Sequence, residues 1–172
     1  YMVYQPIVQV SDGRLLAFEA LLRWKDGYFG EVSPELFISL AERLGSYPAL
    51  SAFVMKKSLD EMQIYLTANP GLQLSINIGD EDINDPQYII RLKEECLKRN
   101  ITHQQIKLEI TERCQSDYET LSLFCRTVRL FGFIVSLDDF GTGSCNISWL
   151  MELDFDEVKI DKFLVQNIVN SD

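Results

Sequence analysis

One histidine, His103, and four scattered cysteines are all the soft metal-ligand chemistry this sequence holds. Cys96, Cys114, Cys125 and Cys145 form no CxxC pair, which argues against a Cys/His zinc site. Their dispersal suits reduced, mostly buried thiols of a cytosolic domain. Long apolar runs are missing too. None approaches the roughly 18 residues of a membrane span, and the start lacks the layout of a signal peptide. No membrane contact is expected of this segment. Positive charge is scarce: 16 Lys and Arg stand against 26 Asp and Glu, a net charge of −10. That balance argues against non-specific binding to a nucleic-acid polymer, which draws its affinity from clustered cations. It still admits a small phosphorylated ligand, provided a metal ion or a local arginine neutralises it.

What is present is ordinary for a folded domain: 172 residues, 47% apolar and 24% charged. The chain starts inside an apparent strand, "YMVYQPIV", and stops after a helical pattern, "NIVNSD". Both ends read as cut from something longer.

Strand and helix patterns alternate along it. "MVYQPIVQV" and "GRLLAFEALLRW" read as two strands joined at "SDG", an antiparallel hairpin. In "SPELFISLAERLG", Ser33 is the expected N-cap, Pro34 the first helical residue and Gly45 the stop. Leu36, Phe37, Leu40, Ala41 and Leu44 make its apolar stripe. A second helix is expected from about Pro48 to Leu66. "LQLSINI" is a strand, followed by a helix that Asp85 and Pro86 should open. Then come the strand "QIKLEIT", the helix "SDYETLSLFCRTVRLFG" closed by Gly132, and the strand "FIVSLDDFG". "SCNISWLMEL" is a short helix, "DEVKIDK" a strand and "FLVQNIVN" a last helix. Six strands alternating with helices predict an α/β fold of parallel units. The pattern alone leaves barrel and open sheet both open.

Polar residues interrupt five of these strands in or near their C-terminal halves. They are Glu19 in "FEALLRW", Asn77 in "LSINI", Glu109 in "KLEIT", Asp138 and Asp139 in "VSLDDF", and Lys159 in "EVKID". In a β/α barrel the strand C-termini meet at one mouth, where active sites lie. Carboxylates converging there could not stay charged without compensation. A divalent cation that prefers oxygen ligands, Mg²⁺ or Mn²⁺, provides it. Neighbouring Asp138 and Asp139 would point to opposite faces of a regular strand, but a bend at "DDFGTG" would let both reach the mouth. A two-metal cluster suited to phosphoryl displacement then becomes plausible. Lys159 would orient water or a phosphate oxygen, and Arg23 would hold a phosphate in its planar fork.

Each residue also has a plainer explanation when taken singly. Glu19 could face solvent at an edge, Asn77 could cap a strand end, and Lys159 could form a weak surface ion pair. Asp161 fits the N-cap of the last helix. Gly141 and Gly143 serve the backbone turn. Trp24 could close a ligand pocket or merely fill the barrel mouth. His103, in the polar "NITHQQ", is expected at the surface.

Six motifs in order, "YQPIV", "FEALLRW", "LSINI", "KLEITE", "LDDFGTG" and "VKIDK", tip the balance. Over its whole length the chain resembles the EAL-domain family of bacterial cyclic di-GMP phosphodiesterases. The resemblance implies a modified TIM (β/α)8-type barrel with an antiparallel first hairpin. It implies metal-dependent hydrolysis of cyclic di-GMP to linear pGpG in second-messenger signalling, with Mg²⁺ or Mn²⁺ as cofactor. By the same resemblance Glu19, Asn77, Glu109 and Asp138 match metal ligands, and Asp139 matches a ligand of a second metal. Lys159 matches the residue that positions the attacking water, so the implied catalytic set is Glu19, Asp138, Asp139 and Lys159. Glu112 matches a glutamate that steadies the loop after "DDFG". Gln5 and Arg23 match substrate contacts.

Two family motifs, "AEGVE" and "QGY", have no counterpart here. Residues 1–172 are therefore expected to form a single partial domain with about six of eight strands. A full barrel takes about 250 residues. The expected consequence is little or no activity of this stretch alone and an active enzyme in the parent chain, which such families commonly fuse to sensory or membrane regions. The loop "GTGSCNISWL" replaces the family's usual "GTGYSSLSYL", with Ser144, Cys145 and Asn146 at the changed positions. In the family that loop links the metals to a dimer interface, so a homodimer through the residues after Asp139 stays an open expectation. Gly79 stands where serine is common, a change that reads as minor. Two rival functions remain: a receptor that holds cyclic di-GMP through Arg23 and Gln5 without cutting it, and a scaffold. The intact acidic set favours the enzyme.

Overall fold

A computed structural model of the chain describes residues 1–141, 150 and 152–169. The short helix expected in "SCNISWLMEL", Gly143, Cys145 and the loop contact proposed for a homodimer lie outside the described residues.

Eight strands, six α-helices and one 3-10 turn (His103–Gln105) are present among the described residues. β1 (Met2–Val8) and β2 (Leu15–Leu22) form the first hairpin, and β3 (Trp24–Asp26) pairs with β4 (Gly30–Val32) in a small separate one. Helices α1 (Pro34–Arg43) and α2 (Tyr47–Ala68) follow, then β5 (Gln73–Ile78), a single turn α3 (Asp80–Ile83) and α4 (Tyr88–Lys98). β6 (Ile106–Thr111), α5 (Tyr118–Leu130), β7 (Ile134–Phe140), β8 (Glu157–Ile160) and α6 (Lys162–Val169) complete the order. The main sheet runs β1-β2-β5-β6-β7-β8. β1 is antiparallel to β2, and every other neighbouring pair is parallel. The result is a mixed α/β half-barrel of six strands with an antiparallel first pair.

Helices α4 and α5 cover the outer face because their apolar residues fall on one side. Leu121, Phe124, Cys125 and Val128 of α5 are buried at i, i+3, i+4 and i+7, and Ile89, Leu92 and Cys96 do the same in α4. They meet Leu74, Ile76, Leu108 and Val135 of the sheet in one core. A buried leucine or isoleucine contributes about 1.5–3 kcal/mol. β6 is buried on both faces, so its alternation separates core from barrel interior: Ile106, Leu108 and Ile110 join the apolar cluster, while Lys107 and Glu109 take the opposite face. Gln105 fastens the layers by donating from Nε2 to the carbonyls of Leu66 and Leu72 at 2.8 and 3.1 Å.

Four local expectations change. Of the stripe expected in α1 only Phe37 is buried, while Leu36, Leu40 and Leu44 are exposed. α4 opens at Tyr88 rather than at Pro86, because Asp85 first makes a turn: its Oδ1 accepts from the Gln87 amide at 2.9 Å and its carbonyl from Tyr88 at 3.0 Å. The β3–β4 hairpin was not anticipated; Asp26 Oδ1 accepts from the amides of Tyr28 and Phe29 at its tip, and Trp24 sits edge-on to Phe37 at 5.9 Å. His103 is half-buried rather than a surface residue, with Nδ1 2.6 Å from the Phe131 carbonyl and its ring stacked on Phe133 at 4.5 Å. The thiols of Cys96 and Cys125 are buried, and burial pushes both up to about 12, so they stay protonated. No helix among the described residues is long and apolar enough to cross a membrane.

Candidate functional site

The strand registers bring the interrupting residues together. Asn77 of β5 lies opposite Glu109 of β6, Gln5 of β1 lies opposite Glu19 of β2, and Asp138 of β7 lies opposite Thr111. Because strands alternate faces, Glu19, Glu109 and Asp138 point into the same space, where one oxygen of each lies within 4.8 Å of the others. Lys159 of β8 reaches into the middle of them. Its Nζ donates to Glu109 Oε2 at 2.8 Å, to Asp138 Oδ2 at 2.9 Å and to Glu19 Oε2 at 3.1 Å. Asn77 Nδ2 donates to Glu19 Oε1 at 3.1 Å.

One ammonium against three carboxylates leaves the cluster short of positive charge. Glu109 is fully buried, and burial raises its carboxyl above the ordinary range. Lys159 opposes that rise, and the nearby Glu19 adds to it. Burial alone would lower Lys159, but Glu109 and Asp138 outweigh it and hold the ammonium above its ordinary range. Glu109 Oε1 is buried and makes no well-formed hydrogen bond; the Ser75 hydroxyl lies near enough to lower the carboxyl but not to satisfy it, and the Ser136 hydroxyl is likewise buried without a partner. A buried carboxylate oxygen without a partner is costly. Carboxylate and amide oxygens are hard donors of the kind that suit Mg²⁺ or Mn²⁺. These residues fit a divalent cation.

Asp139 is not among the three converging carboxylates. Its backbone is left-handed, with φ of 56°, and the β7–β8 register shifts between Leu137 and Phe140. The strand bends there, and half-buried Asp139 lies beside the cluster. Burial, then Asp138 and Asp161, raise its carboxyl. Glu112 spans the ends of β6 and β7: its amide donates to the Asp138 carbonyl at 3.0 Å, and its Oε2 accepts from the Gly141 amide at 2.8 Å. Asp161 precedes α6 and accepts from the Phe163 amide at 2.7 Å, the N-cap role.

Sequence patterns did not point to Asp80. It follows β5, yet it holds the loop after β6: its carboxylate accepts from the amides of Gln115 and Ser116, from Ser116 Oγ and from Cys114 Sγ. Burial works to raise its carboxyl, but these donors together bring it below the ordinary range. Gly79, which reads as a minor change in the sequence, has a packing role. A Cβ there would stand 2.6 Å from Tyr47 Oη, and that hydroxyl donates to buried Asp82 at 2.7 Å. The missing side chain makes room for the tyrosine. Deeper in the interior, buried Lys107 is paired with Glu157.

Beside the cluster opens a cavity of about 680 Å³. Apolar residues such as Leu21 and Ile38 line part of it, and the cations Arg23 and Arg113 share it with the acids Glu42, Asp80 and Glu81. Arg23 is half-buried and donates to the Leu22 carbonyl at 2.9 Å. Trp24, half-exposed, contacts Phe37 of α1.

The family model described as "EAL domain" matches residues 1–172. The chain is 33% identical over 94% of its length to PdeB of Escherichia coli, named as a probable cyclic di-GMP phosphodiesterase, and covers 31% of that protein. It is 29% identical over 99% of its length to the cyclic di-GMP phosphodiesterase PA2567 of Pseudomonas aeruginosa, again covering 29% of it. Among solved structures, the EAL enzyme Bd1971 bound to cAMP and cyclic di-GMP superposes with a TM-score of 0.90 at 29% identity, over 99% of this chain and 48% of that one. The chain thus spans under a third of these two curated relatives and about half of that solved structure.

Proposed function

The chain belongs to the EAL-domain family, and on that premise we propose that its acidic mouth is the catalytic centre of a phosphodiesterase that hydrolyses cyclic di-GMP to linear pGpG in second-messenger signalling. One observation carries this reading: carboxylates from three separate strands converge around one ammonium, with a buried Glu109 oxygen left unpartnered. Nothing in the folding of a half-barrel requires so expensive an arrangement.

Glu19, Asn77, Glu109 and Asp138 would hold a divalent cation, Mg²⁺ or Mn²⁺, and Asp139 a second. A cation bound there supplies charge neutralisation at the phosphoryl group of an in-line displacement. The chain's own residues supply the rest. Lys159 contributes a point charge for a phosphate oxygen or the attacking water. Arg23 offers a planar fork to the substrate phosphate, and Gln5, opposite Glu19, offers an amide from the neighbouring strand. Glu112 steadies the backbone of Gly141, next to the Asp139–Phe140 bend.

The six-stranded unit is proposed to be part of an eight-stranded barrel. β8 is an edge of the described sheet, and Val158, Ile160, Phe163 and Val165 beside it are exposed. A mouth with one side unwalled should hold substrate poorly, so the 172 residues alone are expected to turn over slowly or not at all. Robust pGpG release by them would contradict this.

The test is product analysis of cyclic di-GMP incubated with the full natural polypeptide and Mg²⁺ or Mn²⁺. Accumulation of linear pGpG, abolished by chelation, is the expected result. Calorimetric binding without product would make the protein a receptor, and absence of binding would make it a scaffold.

A further inference from the structure

A second polar layer lies beneath the acidic mouth. Each strand from β5 to β8 that brings a polar residue to the mouth carries another two positions earlier: Ser75 before Asn77, Lys107 before Glu109, Ser136 before Asp138 and Glu157 before Lys159. Residues two apart share a face, so this layer points into the barrel interior below the cluster. Their neighbours Leu74, Ile76, Leu108 and Val135 belong to the apolar core on the other face. Branched apolar side chains ordinarily fill that interior, so a polar layer there needs a reason. Lys107 and Glu157 answer each other as an ion pair across β7. The two serines do not: their hydroxyls are fully buried and have no hydrogen-bond partner among the described residues. Burying such a hydroxyl is costly, and alanine would fill nearly the same space.

Both serines border Glu109. Ser136 is its register partner on β7, and Ser75 stands on β5 opposite Lys107 and Glu19. Glu109 Oε2 is taken by Lys159, Oε1 makes no well-formed hydrogen bond, and the Ser75 hydroxyl already lies near enough to lower the carboxyl. Two hydroxyls that can donate and one oxygen that can accept thus sit unsatisfied on three adjacent strands. The fourth such atom among the described residues, Ser58 Oγ, belongs to α2 in the outer layer.

Resting on the function proposed above, we propose that Ser75 and Ser136 are positioning residues of the acidic centre, whose hydroxyls donate to Glu109 Oε1 from the two flanking strands when the site holds a cation. They fix the rotation of the carboxylate so that Oε2 faces the focus shared with Glu19 and Asp138. Ordinary strand alternation places them: a serine two residues before a mouth residue reaches the same interior one layer lower. The small Ser136 side chain also leaves room for the Lys107–Glu157 pair to cross β7. Neither serine touches the reacting atoms; each acts through Glu109.

The test uses Ser75→Ala, Ser136→Ala and the double variant in the full natural polypeptide, with Ser58→Ala as the comparison. Mn²⁺ affinity is read from the electron paramagnetic resonance signal of free Mn²⁺, and melting temperature is read without metal. The double variant should bind Mn²⁺ about tenfold more weakly, each single variant should show part of that loss, and Ser58→Ala should show none. The metal-free melting temperature should hold, because alanine fits where serine did and removes a buried hydroxyl that lacked a bond. For cyclic di-GMP, kcat should fall while KM stays within about twofold. Mn²⁺ affinity unchanged, or lowered equally by Ser58→Ala, overturns the role of the serines and leaves the proposed function standing. Collapse of the metal-free fold in the single variants overturns it as well, because it marks a packing role. Wild-type protein that binds no Mn²⁺ overturns both the metal centre and this inference.

Discussion

Lys159 Nζ stands 2.8 Å from Glu109 Oε2, while Oε1 of the same buried carboxylate has no partner. The ammonium occupies the focus of the acidic cluster and satisfies half of its most buried member. It acts as the internal counter-ion of a site that carries more negative charge than one lysine can offset. A cation drawn into that focus competes with the ammonium for the same oxygens.

Lys159→Met removes the counter-ion and leaves Glu19, Glu109 and Asp138 facing one another. Breaking a partly buried ion pair in this way should destabilise the metal-free protein by about 3 kcal/mol. Mn²⁺ should then raise the melting temperature of the variant by more than it raises that of the wild type, because the competitor is gone. Thermal melts with and without Mn²⁺ check both statements.

Glu109→Gln keeps the shape of the side chain and removes its charge. The metal-free fold should survive, because the cost of burying a carboxylate disappears along with its bond to Lys159. The metal-induced rise in melting temperature should vanish, and turnover of cyclic di-GMP should fall at least about a hundredfold. Melts and initial rates on the same preparations are the measurement.

Asp80 links the end of β5 to the loop after β6, and its folded carboxyl lies below its ordinary value of 3.8. A depressed folded value means that the stability it contributes is complete above that pH and is lost as pH falls through the folded value. Asp80→Ala should therefore cost about 1–3 kcal/mol at neutral pH, the worth of several hydrogen bonds to a charged acceptor. The gap from wild type should narrow below about pH 4. Denaturant melts at pH 7 and in acid give the comparison.

Gly141 adopts a φ of 102°, and a Cβ there would run into the side chain of Leu164 in α6. Its amide also donates to Glu112 at 2.8 Å. Gly141→Ala should destabilise by about 1–2 kcal/mol from backbone strain alone. It should also lower turnover by shifting the bend that carries Asp139. Equal stability and activity would show that the turn tolerates a side chain.

Much of this was legible in the chain. Period-2 strands interrupted by Glu19, Asn77, Glu109, Asp138 and Lys159 announced a polar interior, because an interrupting charge in an apolar strand needs a reason. The helices were legible from stripes such as Leu121, Phe124, Cys125 and Val128. Long-range ties were not. Asp80 acts on residues 34–36 positions away, and nothing local marks an aspartate in "GDEDIND" as the one that holds another loop. His103 looked polar in its turn, yet its ring found Phe133 through the return of the chain. Gly79 looked like a minor change until Tyr47 proved to fill the space beside it.

The central claim is that the oxygens gathered around Lys159 form a metal centre. Anomalous diffraction from crystals of the natural polypeptide grown with Mn²⁺ tests it most directly. The account predicts a peak within coordination distance of Glu19, Glu109 and Asp138, with the Lys159 ammonium moved off the focus. No peak at saturating Mn²⁺, with Lys159 still bonded to all three carboxylates, would contradict it.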